Sequence, residues 1–105
     1  MLDYIIVGAG LSGITVAEEL MSRGRSIKVF EDHSQSSSTV AGGIYNPVIL
    51  KRFTLAWNAG DQLDTALKFY RTLEEKLGIR LIYELPVYRK FNSVEEQNNW
   101  FTAMD

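Results

Sequence analysis

The chain contains no cysteine and only one histidine, His33. Disulfides, thiolate metal sites and cysteine nucleophiles are thereby excluded, and no histidine cluster exists for zinc, so no metal site is expected. Basic residues are few and scattered: the net charge is −2 and no basic run exceeds Lys51-Arg52. The electrostatic footprint of a nucleic-acid surface is missing. No apolar run approaches the roughly 20 residues of a membrane span, and no charged segment with a long apolar stretch precedes the first strand pattern near Met1. A cytoplasmic location is the expectation, without membrane or nucleic acid among the partners. At 46% hydrophobic and 23% charged over 105 residues, the composition is that of a small globular domain and not of a disordered segment.

What the chain does hold is concentrated at its start. The apolar run Tyr4-Ile-Ile-Val7 leads directly into Gly8-Ala9-Gly10-Leu11-Ser12-Gly13, and a helical pattern follows. Each glycine has its own physical role. Gly8 allows a tight strand-to-helix turn, Gly10 lets backbone approach a pyrophosphate, and Gly13 lets the helix lie close on the strand. The unpaired N–H groups and positive dipole end of the helix then face the phosphates. Acidic residues, ordinarily favoured in a first turn, appear only at Glu18 and Glu19, which suits a diphosphate. Glu31 ends the next apolar run, 23 residues after Gly8, near the roughly 20 expected of the acid that hydrogen-bonds a ribose hydroxyl. A carboxylate there repels a 2′-phosphate, so NADP is disfavoured and NAD or FAD remain.

The opening unit therefore reads as strand 3–7, helix 11–23 and strand 26–31. Ile14, Ala17, Leu20 and Met21 form the sheet-facing stripe of the helix, Gly24 acts as its left-handed cap, and the strands are expected to be covered on both faces of a parallel sheet. The polar run Asp32 to Thr39 lacks the period of a second helix, and Ala41-Gly42-Gly43-Ile44 after it reads as another place where backbone approaches a ligand. Leu63, Ala66, Leu67, Tyr70, Leu73 and Leu77 predict a helix over 61–77, capped by Asp61 with Asp64 and stopped by Gly78. Residues 79–84 and 87–91 read as short strands broken at Leu85-Pro86. Ser93-Val-Glu-Glu96 is a capping box that opens a last helix.

Taken together, these motifs resemble the N-terminal part of the D-amino-acid oxidase family of FAD-dependent oxidoreductases, which includes the glycine oxidase and sarcosine oxidase type. The resemblance runs over nearly the whole chain: residues 3–13 as FAD fingerprint, Val29-Phe-Glu31 as ribose-binding strand end, 38–44 as the loop approaching the flavin ring, and 63–79 as the long helix into the substrate domain. It implies FAD as cofactor, with Gly8, Ala9, Gly10, Leu11, Ser12 and Gly13 along the diphosphate and Glu31 on the adenosine ribose. Ala41, Gly42, Gly43 and Ile44 would lie near the diphosphate or flavin. Lys51 and Arg52 are read as solvated charges, with contact to reduced flavin or a substrate carboxylate as the alternative.

The fold class implied is α/β: the βαβ unit of a Rossmann-like FAD-binding domain (1–78), then the start of an α+β substrate domain (79–105), the whole incomplete. Family members are several times longer, so the chain reads as an N-terminal fragment, inactive alone, whose unpaired sheet edges invite self-association. The implied parent oxidises a small-molecule amine or amino acid by hydride transfer to FAD. No catalytic residue is selected: they are unknown, and Tyr45, Tyr83 and Tyr88 stand out no more than other polar groups. Two alternatives stay open on the residues alone: a fragment of an NAD-dependent dehydrogenase, and a non-catalytic nucleotide-binding or interaction module.

Overall fold

The computed structural model describes residues 1–104. These form two compact units, one ending at Ile44 and one beginning at Tyr45.

The first unit is built on β1 (Tyr4–Val7), α1 (Leu11–Ser22), β2 (Ile27–Phe30) and a single turn of helix, α2 (Ser37–Val40). Strands β1 and β2 pair in parallel, with Tyr4 opposite Ile27 and Val7 opposite Phe30. A parallel pair needs a crossover, and α1 supplies it. Its end follows the predicted chemistry: Gly24 takes a φ of +70° and donates to the Met21 carbonyl, while Arg25 donates to that of Leu20. These are the two bonds of a Schellman cap, and they turn the chain back toward β2. At that same end of the sheet pair, beside the cap, the Asp3 carboxylate accepts from both the backbone N–H and the hydroxyl of Ser26. Those bonds hold the Asp3 carboxyl below its ordinary range.

The stripe of α1 is only partly covered: Ala17 is 7% exposed, whereas Ile14 and Met21 remain open. The strands depart further from expectation. Ile5 is 63% exposed and Val7 84%, so the sheet is not covered on both faces. A sheet of two strands with one crossover helix has no second layer to lay across its other side, and the first unit supplies none.

The second unit opens with a minimal antiparallel hairpin, β3 (Val48–Ile49) with β4 (Thr54–Leu55), which the sequence pattern does not signal. Helix α3 (Ala59–Leu77) follows. Its predicted stripe is half-buried from Leu63 to Leu73, with Leu77 exposed. Gly78, at φ +65°, ends it by donating to the Glu74 carbonyl. The predicted cap is corrected: α3 begins two residues before Asp61, after Asn58 in a left-handed conformation, with no side-chain cap. The chain reverses there through a bond from the Ala59 N–H to the Ala56 carbonyl.

Residues 79–91 are also corrected: they run without strand structure. The Glu74 carboxylate accepts from the N–H groups of Leu81 and Ile82, which take a side-chain acceptor where a strand would need a neighbouring backbone. These bonds also hold the Glu74 carboxyl below its ordinary range, and Ile82 is buried beneath them. Helix α4 (Val94–Met104) opens as predicted. The Ser93 hydroxyl accepts from the Glu96 N–H, and the Glu96 carboxylate reaches back to the N–H of Asn92.

Candidate functional site

The site is assembled at the C-terminal end of β1, where a short segment must turn from strand to helix. Gly8 adopts a φ of +95°, which a residue with a Cβ rarely accepts, and its N–H donates to the Phe30 carbonyl at the end of β2. The turn is thereby tied to both strands. Gly13 is required for a different reason: a Cβ built there would stand 2.0 Å from the Gly8 carbonyl oxygen. Only a bare backbone lets α1 start this close to β1. A Cβ on Gly10 would stand 3.3 Å from the Ser38 hydroxyl, so this glycine faces a neighbour as well as open space.

The donor set at the start of α1 fits a diphosphate. The first turn carries no acidic side chain and no side-chain cap. The N–H groups of Gly10, Ser12 and Gly13 have no protein acceptor among the described residues, so three donors and the positive end of the helix dipole point outward together. Two other N–H groups of the turn are already engaged. Ala9 donates to the Glu31 carboxylate, and Leu11 donates to the Ser38 hydroxyl at 3.0 Å.

The structure thus brings Glu31 directly against the glycine turn. One carboxylate oxygen accepts from Ala9 and the other from the N–H of His33 at 2.7 Å, with His33 at a φ of +58°. These two bonds, that of Ala9 with the larger effect, lower the Glu31 pKa and fix the plane of the carboxylate. A carboxylate offers about four lone-pair positions, and two backbone donors leave the others for a ligand's hydroxyl groups.

Ala41, Gly42, Gly43 and Ile44 follow α2 in the same unit, but make no hydrogen bond to the turn. Ile44 is largely exposed. Ser38 enters the sequence reading only as the first residue of the loop 38–44, and its bond to the glycine turn is what that reading misses. It sits in a polar run, and nothing in its spacing marks it; the signal lies in the turn of helix that lifts it onto Leu11.

Comparison with known proteins bears on the cofactor. The family described as FAD dependent oxidoreductase matches residues 3–103. The chain belongs to this family. FAD is accordingly the cofactor, which sets aside the NAD-dependent alternative. Among curated proteins, this member of the FAD dependent oxidoreductases is 38% identical over 52 residues to the tRNA 5-methylaminomethyl-2-thiouridine biosynthesis bifunctional protein MnmC of Burkholderia ambifaria, covering 47% of this chain and 8% of that protein. It is 40% identical over 62 residues to the protein of the same name from Hydrogenovibrio crunogenus, covering 55% of this chain and 8% of the relative. The thiamine thiazole synthase of Thermotoga maritima is 40% identical over 53 residues, 49% of this chain and 21% of the relative. The chain therefore spans at most about a fifth of the length of these relatives. No solved structure matches. No helix of the described residues is long and apolar enough to cross a membrane.

Proposed function

We propose that the chain forms the diphosphate- and ribose-holding end of a flavoenzyme that oxidises a small amine or amino acid. The observation that carries this reading is the meeting of Glu31 with the glycine turn, beside three outward N–H groups at the start of α1. In this reading Gly8, Ala9, Gly10, Leu11, Ser12 and Gly13 hold the diphosphate, and Glu31 takes the adenosine ribose. Ala41, Gly42, Gly43 and Ile44 lie near the diphosphate or flavin. When bound, FAD supplies the hydride acceptor for the carbon beside the substrate nitrogen.

The protein's part in this stretch is binding and orientation. The backbone donors neutralise the diphosphate without bringing a mobile charge, and Glu31 is pre-aligned by Ala9 and His33 so that little ordering remains to be done on binding. Neither general base nor nucleophile is assigned here. Amine chemistry draws support from the methylaminomethyl group in the names of two relatives.

The same proposal takes residues 1–78 as the N-terminal part of the FAD-binding domain, 79–105 as the start of a substrate domain, and the cytoplasm as the location. The second compact unit begins at Tyr45, inside the first of these segments, so α3 is placed with the FAD-binding part by family resemblance and not by packing. The test uses the complete protein that carries this chain. Anaerobic addition of amines and amino acids should bleach its flavin absorbance. A flavin that stays oxidised with that panel, yet bleaches with a hydroxy acid or a reduced nicotinamide, overturns the substrate class.

A further inference from the structure

The second unit holds an open cavity of about 310 Å³, lined by Lys51, Arg52, Phe53, Asn99, Thr102 and Ala103. It lies between the β3–β4 turn and α4, and shares no residue with the glycine turn. Three features set it apart from an ordinary surface dent. First, two cationic residues adjacent in sequence, Lys51 and Arg52, both line it, and neither has an ion-pair partner among the described residues. Among the described residues no carboxylate lines it.

Second, its apolar wall is built at a conformational cost. Phe53 adopts a φ of +51°, an unusual state for a bulky residue that persists only where surroundings enforce it, and such outliers gather at ligand sites. Here the enforcement is visible: the Phe53 ring stands edge-on to Trp100, 5.2 Å between centroids, with the Arg89 guanidinium 5.4 Å from its own centroid. Arg89 in turn is paired to Glu96, so it is committed to the wall and not available to a ligand.

Third, the polar groups on α4 divide cleanly into used and unused. The Thr102 hydroxyl donates to the Asn98 carbonyl at 2.9 Å and brings no free proton. The Asn99 side chain makes no hydrogen bond among the described residues, so its amide donors are available.

From this we infer that the cavity is an anion site for a phosphate group, held by Lys51, Arg52 and the Asn99 amide against the Phe53 ring. Phosphate is favoured over carboxylate because it carries close to two charges at neutral pH. Two adjacent cations and an amide offer more donors than a carboxylate can use, with Arg able to grip two oxygens and Lys acting as a point charge. The anion site shares no residue with the glycine turn or with residues 41–44, and it takes Lys51 and Arg52 neither as solvated charges nor as contacts to reduced flavin.

The test titrates inorganic phosphate into the 105-residue chain at constant ionic strength, with acetate and chloride as parallel arms. It is read by the Asn99 side-chain amide and Arg52 Nε–H resonances. A saturable shift with phosphate, weaker with acetate and missing with chloride, is expected. Lys51→Gln and Arg52→Gln should each weaken binding by about tenfold, while resonances away from the cavity stay in place. Trp100 fluorescence in a Trp57→Phe background gives a second, independent reading. A linear response, an equal response to chloride, tighter binding of acetate, or unchanged affinity in both variants overturns the inference.

Discussion

Replacing Gly13 by alanine probes the tightest glycine contact in the chain. The added Cβ would stand 2.0 Å from the Gly8 carbonyl oxygen and 3.0 Å from its carbon. Ordinary contact begins at 3.4 Å, and the opposing atoms are backbone, so α1 and the turn must part by more than an ångström. Overpacking of this kind costs about 1–3 kcal/mol. Parting also pulls on the 2.8 Å bond from Gly8 to Phe30, worth about 1 kcal/mol. Alanine's higher helix propensity returns at most about 1 kcal/mol. The balance is a loss of about 1–3 kcal/mol, read as a lower urea midpoint at unchanged slope, with helicity followed by circular dichroism. Gly60→Ala is the matched control. That residue lies in α3, where a Cβ meets nothing within 4 Å, and the substitution should stabilise by about 0.5 kcal/mol. If Gly13→Ala stabilises as Gly60→Ala does, the close approach of helix and turn is refuted.

Two further outcomes follow from side chains around the turn and the last helix. The Glu31 carboxyl, held below its ordinary 4.5 by the Ala9 and His33 N–H groups, should titrate below that value by carbon-13 NMR; its contribution to stability is present above 4.5 and fades as pH falls through the depressed midpoint, and a midpoint at or above 4.5 contradicts the contact. Ser93→Ala removes the acceptor of the Glu96 N–H and should cost about 1 kcal/mol in urea unfolding, with the Glu96 amide exchanging faster; an unchanged exchange rate rules out the cap.

What can be read in advance is whatever rests on local backbone chemistry. The glycine turn, the Gly24 and Gly78 stops and the Ser93 cap depend on a few neighbouring residues, and each is found where its spacing puts it. Glu31 is legible because a strand of set length separates it from the turn. The failures share the opposite property. Residues 79–91 have strand-like composition, yet a strand exists only with a neighbour to bond to, and Glu74 takes the N–H groups of Leu81 and Ile82 instead. The β3–β4 hairpin is invisible because its turn, Leu50 to Phe53, contains none of the usual glycine or asparagine, the left-handed position being filled by Phe53. The contact made by Ser38 escapes for a related reason, since its partner Leu11 is distant in sequence.

The contact between Ala9 and Glu31 also acts as a proofreading device for strand pairing. Side chains along a strand alternate between faces, so a slip of one residue between β1 and β2 would send Glu31 to the opposite side of the sheet. Only the pairing that sets Val7 opposite Phe30 delivers the carboxylate to the turn. A misregistered sheet would therefore lose this backbone contact and, on the proposed reading of Glu31, its hold on a ribose, so cofactor retention during purification is expected to report which molecules had paired correctly.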